Sequence, residues 1–259
     1  MLHLDRYAYN NSLVHIHPLE RFLFSGVTLI TSLILNCEVV SLLVILLMAW
    51  VTVHKGSLPF RFYFKLMLLP MTFLLVGIIA IAVNIVQETS TLLWGVNLFS
   101  MTIGINYDSL YTAVNLFLRA LAAVSCLYFL SLTTPLTEII SVLRRFKCPE
   151  LLLDLMSLTY RFIFVLLETA EKIYTSQSAR LGYASLRKGY QSTGSLATSL
   201  FVRTYKRSLD LYNTLEARCY NGKLEVLEQD YEVSKKNIFM ILFIQVLLVF
   251  IALFYGGII

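Results

Sequence analysis

The chain has 259 residues, of which 58% are hydrophobic and 14% charged, and its mean hydropathy is +0.72. So much apolar sequence exceeds what a soluble core of this length uses and places the chain among polytopic membrane proteins. The formal net charge of +5 is too thinly spread, and too little interleaved with stacking aromatics, for a nucleic-acid surface; it suits anionic lipid headgroups or an acidic protein partner.

The first residues, Leu4-Asp5-Arg6-Tyr7-Ala8-Tyr9-Asn10 and then His15-Ile16-His17-Pro18, are polar and aromatic and lead to a proline suited to a first helical turn. Asp5, Arg6, Glu20 and Arg21 precede any apolar run, so no cleavable signal peptide is expected and targeting falls to the first membrane helix. An apolar region from Phe22 to Val53 is broken at Asn36-Cys37-Glu38. It reads as one overlong helix or as a tight hairpin of two short ones. In the hairpin reading Lys55, Arg61 and Lys65 return to the side of Arg6 and Arg21, which the positive-inside rule makes cytoplasmic. A third span, about Leu66 to Val83, then leads out to a loop, Asn84 to Asp108, that holds no Lys or Arg, with Asn84 as an interfacial cap. A fourth span, Leu110 to Leu132, leads back, and a last one, Ile238 to Tyr255, leaves the C-terminus outside. Five spans result; a single long helix would invert every assignment.

Three regions follow: 1–132, an interfacial segment with four membrane helices; 133–236, a cytoplasmic helical region; and 237–259, the C-terminal membrane helix. The middle region holds 15 of the 21 Lys and Arg residues against 11 acidic ones, a local net of +4. Thr134-Pro135 opens its first helix, with Leu136, Ile139, Ile140, Leu143 and Phe146 on one face and Arg144, Arg145 and Lys147 opposite. Pro149 opens the next, whose apolar residues, from Leu151, Leu155 and Leu158 onward, keep helical steps as far as Arg180. The greasy stretch Glu150 to Leu167 carries Asp154 and Arg161 and would split the basic clusters if it spanned, so it belongs at or below the membrane surface. Lys188 to Ser195 reads as a loop ending in a capping serine. A third helix follows, with Phe201, Tyr205, Leu209, Tyr212 and Leu215 on one face and Arg203, Arg207 and Asp210 on another.

Two short motifs recur 38 residues apart in this region: Ser178-Ala179-Arg180-Leu181-Gly182-Tyr183 and Glu216-Ala217-Arg218-Cys219-Tyr220-Asn221-Gly222. Each sets an Ala-Arg near a helix end with glycine shortly after. The helix can therefore stop and leave an arginine at its C-terminal tip, where the macrodipole favours a cation. A lone arginine there is usually a solvated charge; a repeated pair suits insertion into two carboxylate-lined pockets.

Other signals are weaker. Gly189 to Gly194 has phosphate-loop spacing, but Ser195-Leu196 stands where Lys-Ser or Lys-Thr is required, so the chain is not itself an ATPase. His3, His15, His17 and His54 lack a companion Cys or carboxylate cluster and read as interfacial. Asn115 and Arg119 lie one turn apart within the fourth span, as a candidate intramembrane polar site or as partners of a neighbouring helix's carbonyls. Trp50, Trp94 and Phe99 suit aromatic belts. Cys37, Cys126, Cys148 and Cys219 show no paired spacing and read as free thiols. No hydrolase constellation or paired intramembrane carboxylates are visible.

At these motifs the chain resembles the transmembrane T component of energy-coupling factor (ECF) transporters, most closely the cobalt branch, CbiQ. The resemblance extends to Asp5-Arg6-Tyr7-Ala8-Tyr9 with His17-Pro18, to Leu132-Thr133-Thr134-Pro135-Leu136-Thr137, and to Arg144-Arg145-Phe146-Lys147-Cys148-Pro149. It implies an all-α polytopic membrane protein with about five transmembrane helices and long amphipathic cytoplasmic coupling helices. It also implies a non-catalytic subunit in a bacterial or archaeal cell membrane, with the N-terminus and coupling helices cytoplasmic and the C-terminus external. Ala179, Arg180 and Leu181, and Ala217, Arg218 and Cys219, would then contact two ABC-type ATPase subunits that hold the ATP and magnesium, this chain needing no cofactor. A membrane substrate-binding component of CbiM type, with a small accessory membrane subunit, would bind the cobalt ion. Leu181 and Cys219 stand where the family has a small glycine. The competing readings are a T component for nickel or a vitamin and, from another class, a free-standing membrane enzyme or static scaffold.

Overall fold

The computed structural model describes residues 7–86, 92–98, 101–220 and 234–255. A 3-10 turn over Ser12–His15, capped by the Asn11 side chain, precedes helix α1, Pro18–Ile34. Helix α2 covers Glu38–Trp50 and continues as a π turn over Val51–Lys55; α3 covers Phe60–Ala82 with Pro70 inside it. Three strands follow, β1 Val83–Val86, β2 Leu92–Leu98 and β3 Met101–Asn106, and then α4, Tyr107–Thr133. Helices α5 Leu136–Arg145, α6 Glu150–Ala179 and α7 Leu186–Ala217 form the middle region, and α8, Lys235–Phe254, comes last.

The region Phe22 to Val53 is the hairpin. Its break falls at Leu35–Cys37, where Leu35 leaves the helical region at φ −79, ψ 99, and Cys37 is extended before Glu38 starts a new helix. Among the described residues four helices are long and apolar enough to cross a membrane: Glu38–Lys55, Phe60–Ile78, Ser109–Thr133 and Lys235–Phe254. The fifth expected span, α1, has 17 residues, about 25 Å of helix, and carries Glu20 and Arg21 in its opening turns, so it falls short of that measure.

Two expectations are overturned. The chain is the helical polytopic membrane protein expected, but the loop Asn84 to Asp108 contains a three-stranded antiparallel sheet of order β1-β3-β2, and Asn84 is a strand residue paired with Gly104 rather than a cap. The signal was present in β-branched Val83, Ile85, Val96, Thr102, Ile103 and Ile105, but the absence of charge alone suggested a plain external loop. The stretch Lys188 to Ser195 is helical, not a loop. The cap is Ser185, whose side chain accepts from the Lys188 N–H, ten residues before the serine expected to do this. Each internal glycine costs roughly 1 kcal/mol against alanine, a deficit that the contacts of Ser192 described below offset.

The chain divides into two compact units, Leu2–Pro135 with Asp230–Ile259 and Leu136–Gln229. In the first, α4 packs against α1, α2 and α3, and α8 packs against α1 and α2. Ala122, Ser125 and Cys126 are fully buried on α4, small enough to let the helices approach closely, and Ser25 Oγ donates to the Cys126 carbonyl at 2.7 Å. Between α1 and α8, Gln245 Nε2 donates to Thr28 Oγ1 at 2.7 Å, and Thr31 Oγ1 donates to Gln245 Oε1 at 3.0 Å. Interhelical bonds of this kind contribute about 0.6 kcal/mol each.

The N-terminal segment clamps the end of α4. Asn11 Nδ2 donates to the Thr133 carbonyl at 3.1 Å, and Arg21 bridges the carbonyls of Thr133 and Ile16. Glu20, buried, accepts from the Ser234 N–H at 2.6 Å and from Asn237 Nδ2 at 2.7 Å. A carboxylate thereby sits at the N-terminus of α8, where orphan N–H groups and the macrodipole favour negative charge.

Candidate functional site

In the second unit α6 and α7 form an antiparallel hairpin, held along its length. Near the turn, Gln177 Nε2 donates to the Ser192 carbonyl at 3.1 Å, Tyr183 Oη donates to Gln177 Oε1 at 2.9 Å, and Ser192 Oγ donates to the Gly182 carbonyl at 2.8 Å. Midway, the Arg207 guanidinium lies 5.8 Å from the centroid of the Phe162 ring. At the far end, Tyr220 Oη donates to Asp154 Oδ2 at 3.1 Å.

Both arginines occupy the same local geometry. Arg180 has φ −93, ψ 17 and Arg218 has φ −96, ψ 14, and each is followed by a left-handed residue, Leu181 and Cys219, both at φ 58. The Gly182 N–H reaches back to the Gln177 carbonyl at 2.9 Å and the Leu181 N–H to that of Ser178 at 3.0 Å. At the second tip the Tyr220 N–H reaches Leu215 and the Cys219 N–H reaches Glu216, both at 3.0 Å. These are paired Schellman ends, which satisfy the helix's orphan carbonyls within the chain. The side chains of Arg180 and Arg218 are thus left unused: both are exposed and, among the described residues, make no hydrogen bond or ion pair.

The position of the glycine matters. The sequence suggested that Gly182 or Gly222 ends the helix, yet the left-handed residue is one step after each arginine, at Leu181 and Cys219. Gly182 serves a close approach instead. A Cβ there would lie 2.7 Å from Ser192 Oγ and 2.9 Å from the Gln177 carbonyl oxygen. Gly222 lies outside the described residues. A third end of the same kind closes α5, where Lys147 has φ 58, and Cys148 N–H reaches the Leu143 carbonyl at 3.3 Å.

Because α6 and α7 are antiparallel, their C-terminal arginines stand at opposite ends of the pair. Helices of 30 and 32 residues are about 45 Å and 48 Å long, so the two tips are roughly 45 Å apart. Between them lies a cleft of about 580 Å³, lined by Arg161, Arg203, Lys206, Arg207 and Asp210 together with Phe162. The apolar face expected on α7 is exposed: Phe201, Tyr205, Leu209 and Tyr212 are 72%, 60%, 48% and 65% accessible.

Asn115 and Arg119 are brought together at the carbonyl end of α1. Arg119 donates to the Leu33 carbonyl, and Asn115 Nδ2 donates to Asn36 Oδ1 at 3.3 Å. The Arg119 partner is thus a backbone carbonyl and the Asn115 partner a side-chain amide oxygen. Among the described residues no three His, Cys, Asp or Glu side chains converge as metal ligands.

The family described as cobalt transport protein, CbiQ, matches residues 10–229. This chain belongs to that family. Among its relatives, the cobalt transport protein CbiQ of Salmonella typhimurium is 34% identical over 222 residues, 86% of this chain and 98% of that one. The energy-coupling factor transporter transmembrane protein EcfT of Ruminiclostridium cellulolyticum is 29% identical over 85% of this chain and 84% of its own. A putative fused cobalt transport protein, CbiMQ, of Methanocorpusculum labreanum is 32% identical over 76% of this chain and 32% of that longer one. In this CbiQ-family chain Leu181 and Cys219 both take a left-handed φ of 58, a conformation that favours glycine.

Sequence reasoning missed Gln177, Tyr183 and Ser192 at the first tip and the Asp154–Tyr220 contact at the second. Tyr183 and Tyr220 both stand within three residues of their arginine, a repeated aromatic that could have drawn attention to them.

Proposed function

We propose that this chain is the transmembrane T component of a cobalt-type ECF importer, transmitting motion from two cytoplasmic ATPase subunits to a membrane-embedded substrate-binding protein. The observation that carries the reading is the pair of matched arginine tips, exposed, without a partner among the described residues and about 45 Å apart. A single pocket cannot take both, whereas two copies of one ATPase present two equivalent pockets. A guanidinium entering a carboxylate-lined pocket makes two parallel hydrogen bonds, and the rigid Schellman turn fixes its direction. ATP and magnesium belong to those subunits, and hydrolysis there would shift the helix pair as a unit, held at both ends by Ser192 and Tyr220. Fusion of a CbiQ-like region to a CbiM-named one in a relative supports a CbiM-like partner that carries the cobalt ion. The hairpin topology supports a cytoplasmic N-terminus and helix pair with an external C-terminus.

The test is a mild-detergent pull-down from native membranes, comparing wild type with Arg180→Ala, Arg218→Ala and the double variant. Truncating one partner of a buried charge pair costs about 2–5 kcal/mol, so each single variant weakens ATPase retention and the double variant loses it while keeping the membrane partner. Equal ATPase retention by the double variant, or no ATPase with wild type, would sink the reading.

A further inference from the structure

The membrane unit contains a cavity of about 200 Å³ where the 3-10 turn, the first turns of α1 and α8 and the end of α2 meet. Its inner wall is apolar, formed by Phe24, Leu47, Phe129, Ile241 and Ile244 among others; its mouth carries Trp50, Lys55 and Asn237. The charges at the mouth differ in their commitments. Glu20 is taken by Ser234 and Asn237, and Arg21 by the carbonyls of Ile16 and Thr133. Lys55 is exposed and, among the described residues, has no hydrogen bond or ion pair; Lys235 and Lys236 are exposed on the first turn of α8 nearby.

We propose that this cavity seats one acyl chain of an anionic phospholipid, with the phosphate held by the Lys55 ammonium. Three observations lead there. The walls belong largely to helices long and apolar enough to cross a membrane, and an apolar void in that setting fills with lipid chain rather than water. Its depth fits. From Lys55 to Leu47 is eight residues of helix and from Asn237 to Ile244 seven, about 10–12 Å, most of the ~15 Å hydrocarbon depth of one leaflet. The mouth has the residues of a headgroup boundary: Trp50, 56% exposed, and an unpaired lysine whose stem can lie along the apolar wall while its ammonium reaches a phosphate. Glu20 and Arg21 carry opposite charges that offset one another, so Lys55 leaves the charged lining net positive.

The full-length chain, purified with its co-purifying partners and delipidated, is titrated with dioleoyl phosphatidylglycerol or dioleoyl phosphatidylcholine and examined by native mass spectrometry. Wild type retains one phosphatidylglycerol per chain in preference to phosphatidylcholine. Lys55→Gln lowers that retention about fivefold, the effect of one lost lysine near a lipid surface, whereas Lys55→Arg keeps it and Lys172→Gln, in the other unit, leaves it unchanged. Ile244→Trp, which fills the cavity, lowers retention of both lipids. A photo-cross-linking residue at Met240 yields an adduct of lipid mass. Equal retention of the two lipids, no effect of Lys55→Gln, an equal effect of Lys172→Gln, or a Met240 adduct with a protein each overturns the proposal. Lys55 is an exposed side chain, so a folding defect does not confound its variants.

Discussion

Leu181 and Gly182 are neighbours whose backbone demands are opposed to their identities, and exchanging glycine between them gives effects of opposite sign. Leu181 sits at φ 58 with its side chain 68% exposed. An L-residue in that region costs about 1–2 kcal/mol, and little apolar burial is lost by trimming an exposed leucine. Introducing glycine also adds about 0.4–1 kcal/mol of unfolded-state freedom. The balance for Leu181→Gly is a stabilisation of the turn by about 0.5–1 kcal/mol, or roughly a two- to fivefold change in the opening equilibrium. Gly182→Ala runs the other way, because its Cβ would meet Ser192 Oγ at 2.7 Å and the Gln177 carbonyl oxygen at 2.9 Å. The second contact is with backbone that accepts the turn's own hydrogen bond, so it cannot swing aside, and overpacking of this kind costs about 1–3 kcal/mol. Hydrogen–deuterium exchange of the full chain, followed on peptides spanning 176–184, reads both effects. Exchange slows in Leu181→Gly and quickens at least about fivefold in Gly182→Ala. Faster exchange in Leu181→Gly, or no change in Gly182→Ala, would refute the reasoning that conformation and close approach fall on separate residues.

Three further outcomes are expected. Tyr220→Phe removes the hydrogen bond to Asp154, so exchange at the second tip and in the first turns of α6 quickens about fivefold, with no change at the first tip. Partial burial, and then the hydrogen bond and charge of Asp154, raise the Tyr220 phenol above its ordinary 10.0; the folded chain holds that proton more tightly, so the contact's stabilisation is complete below pH 10 and lost as pH rises past it, and wild-type exchange there converges on the Tyr220→Phe rate in alkali. Glu20→Gln replaces a buried carboxylate that accepts from Ser234 and Asn237, and a loss of about 1.5–3 kcal/mol follows, measured as a lower unfolding temperature by size-exclusion thermal shift; an unchanged temperature would contradict its role at the α8 terminus. Arg119→Leu frees the Leu33 carbonyl at the end of α1 and lowers the same unfolding temperature while ATPase retention in the pull-down is unaltered; lost retention with unchanged stability would instead make Arg119 part of the coupling path.

Much of this protein was legible in the sequence because it depends on local chemistry or on the bilayer. Apolar runs longer than a soluble core needs fixed the membrane class, and the break at Asn36-Cys37-Glu38 marked the hairpin. The charge of Asp154 and Arg161 set α6 apart from the crossing helices, and the repeated Ala-Arg pointed to two equivalent tips. Local chemistry also misled. Gly189 and Gly194 read as a loop because glycine disfavours helix in isolation, whereas Ser192, bonded to Gly182, holds that stretch helical against Gln177. The sheet after α3 was missed because strand pairing joins residues such as Asn84 and Gly104, twenty positions apart, which no local period reports. Only tertiary structure decided that Leu181, not Gly182, takes the left-handed turn. The same holds for Glu20, which caps α8 from more than two hundred residues away, and for the two arginine tips, which antiparallel packing of α6 and α7 sets at opposite ends. Each of these depends on which segments meet across the fold, and a sequence specifies such meetings only through the whole packed chain.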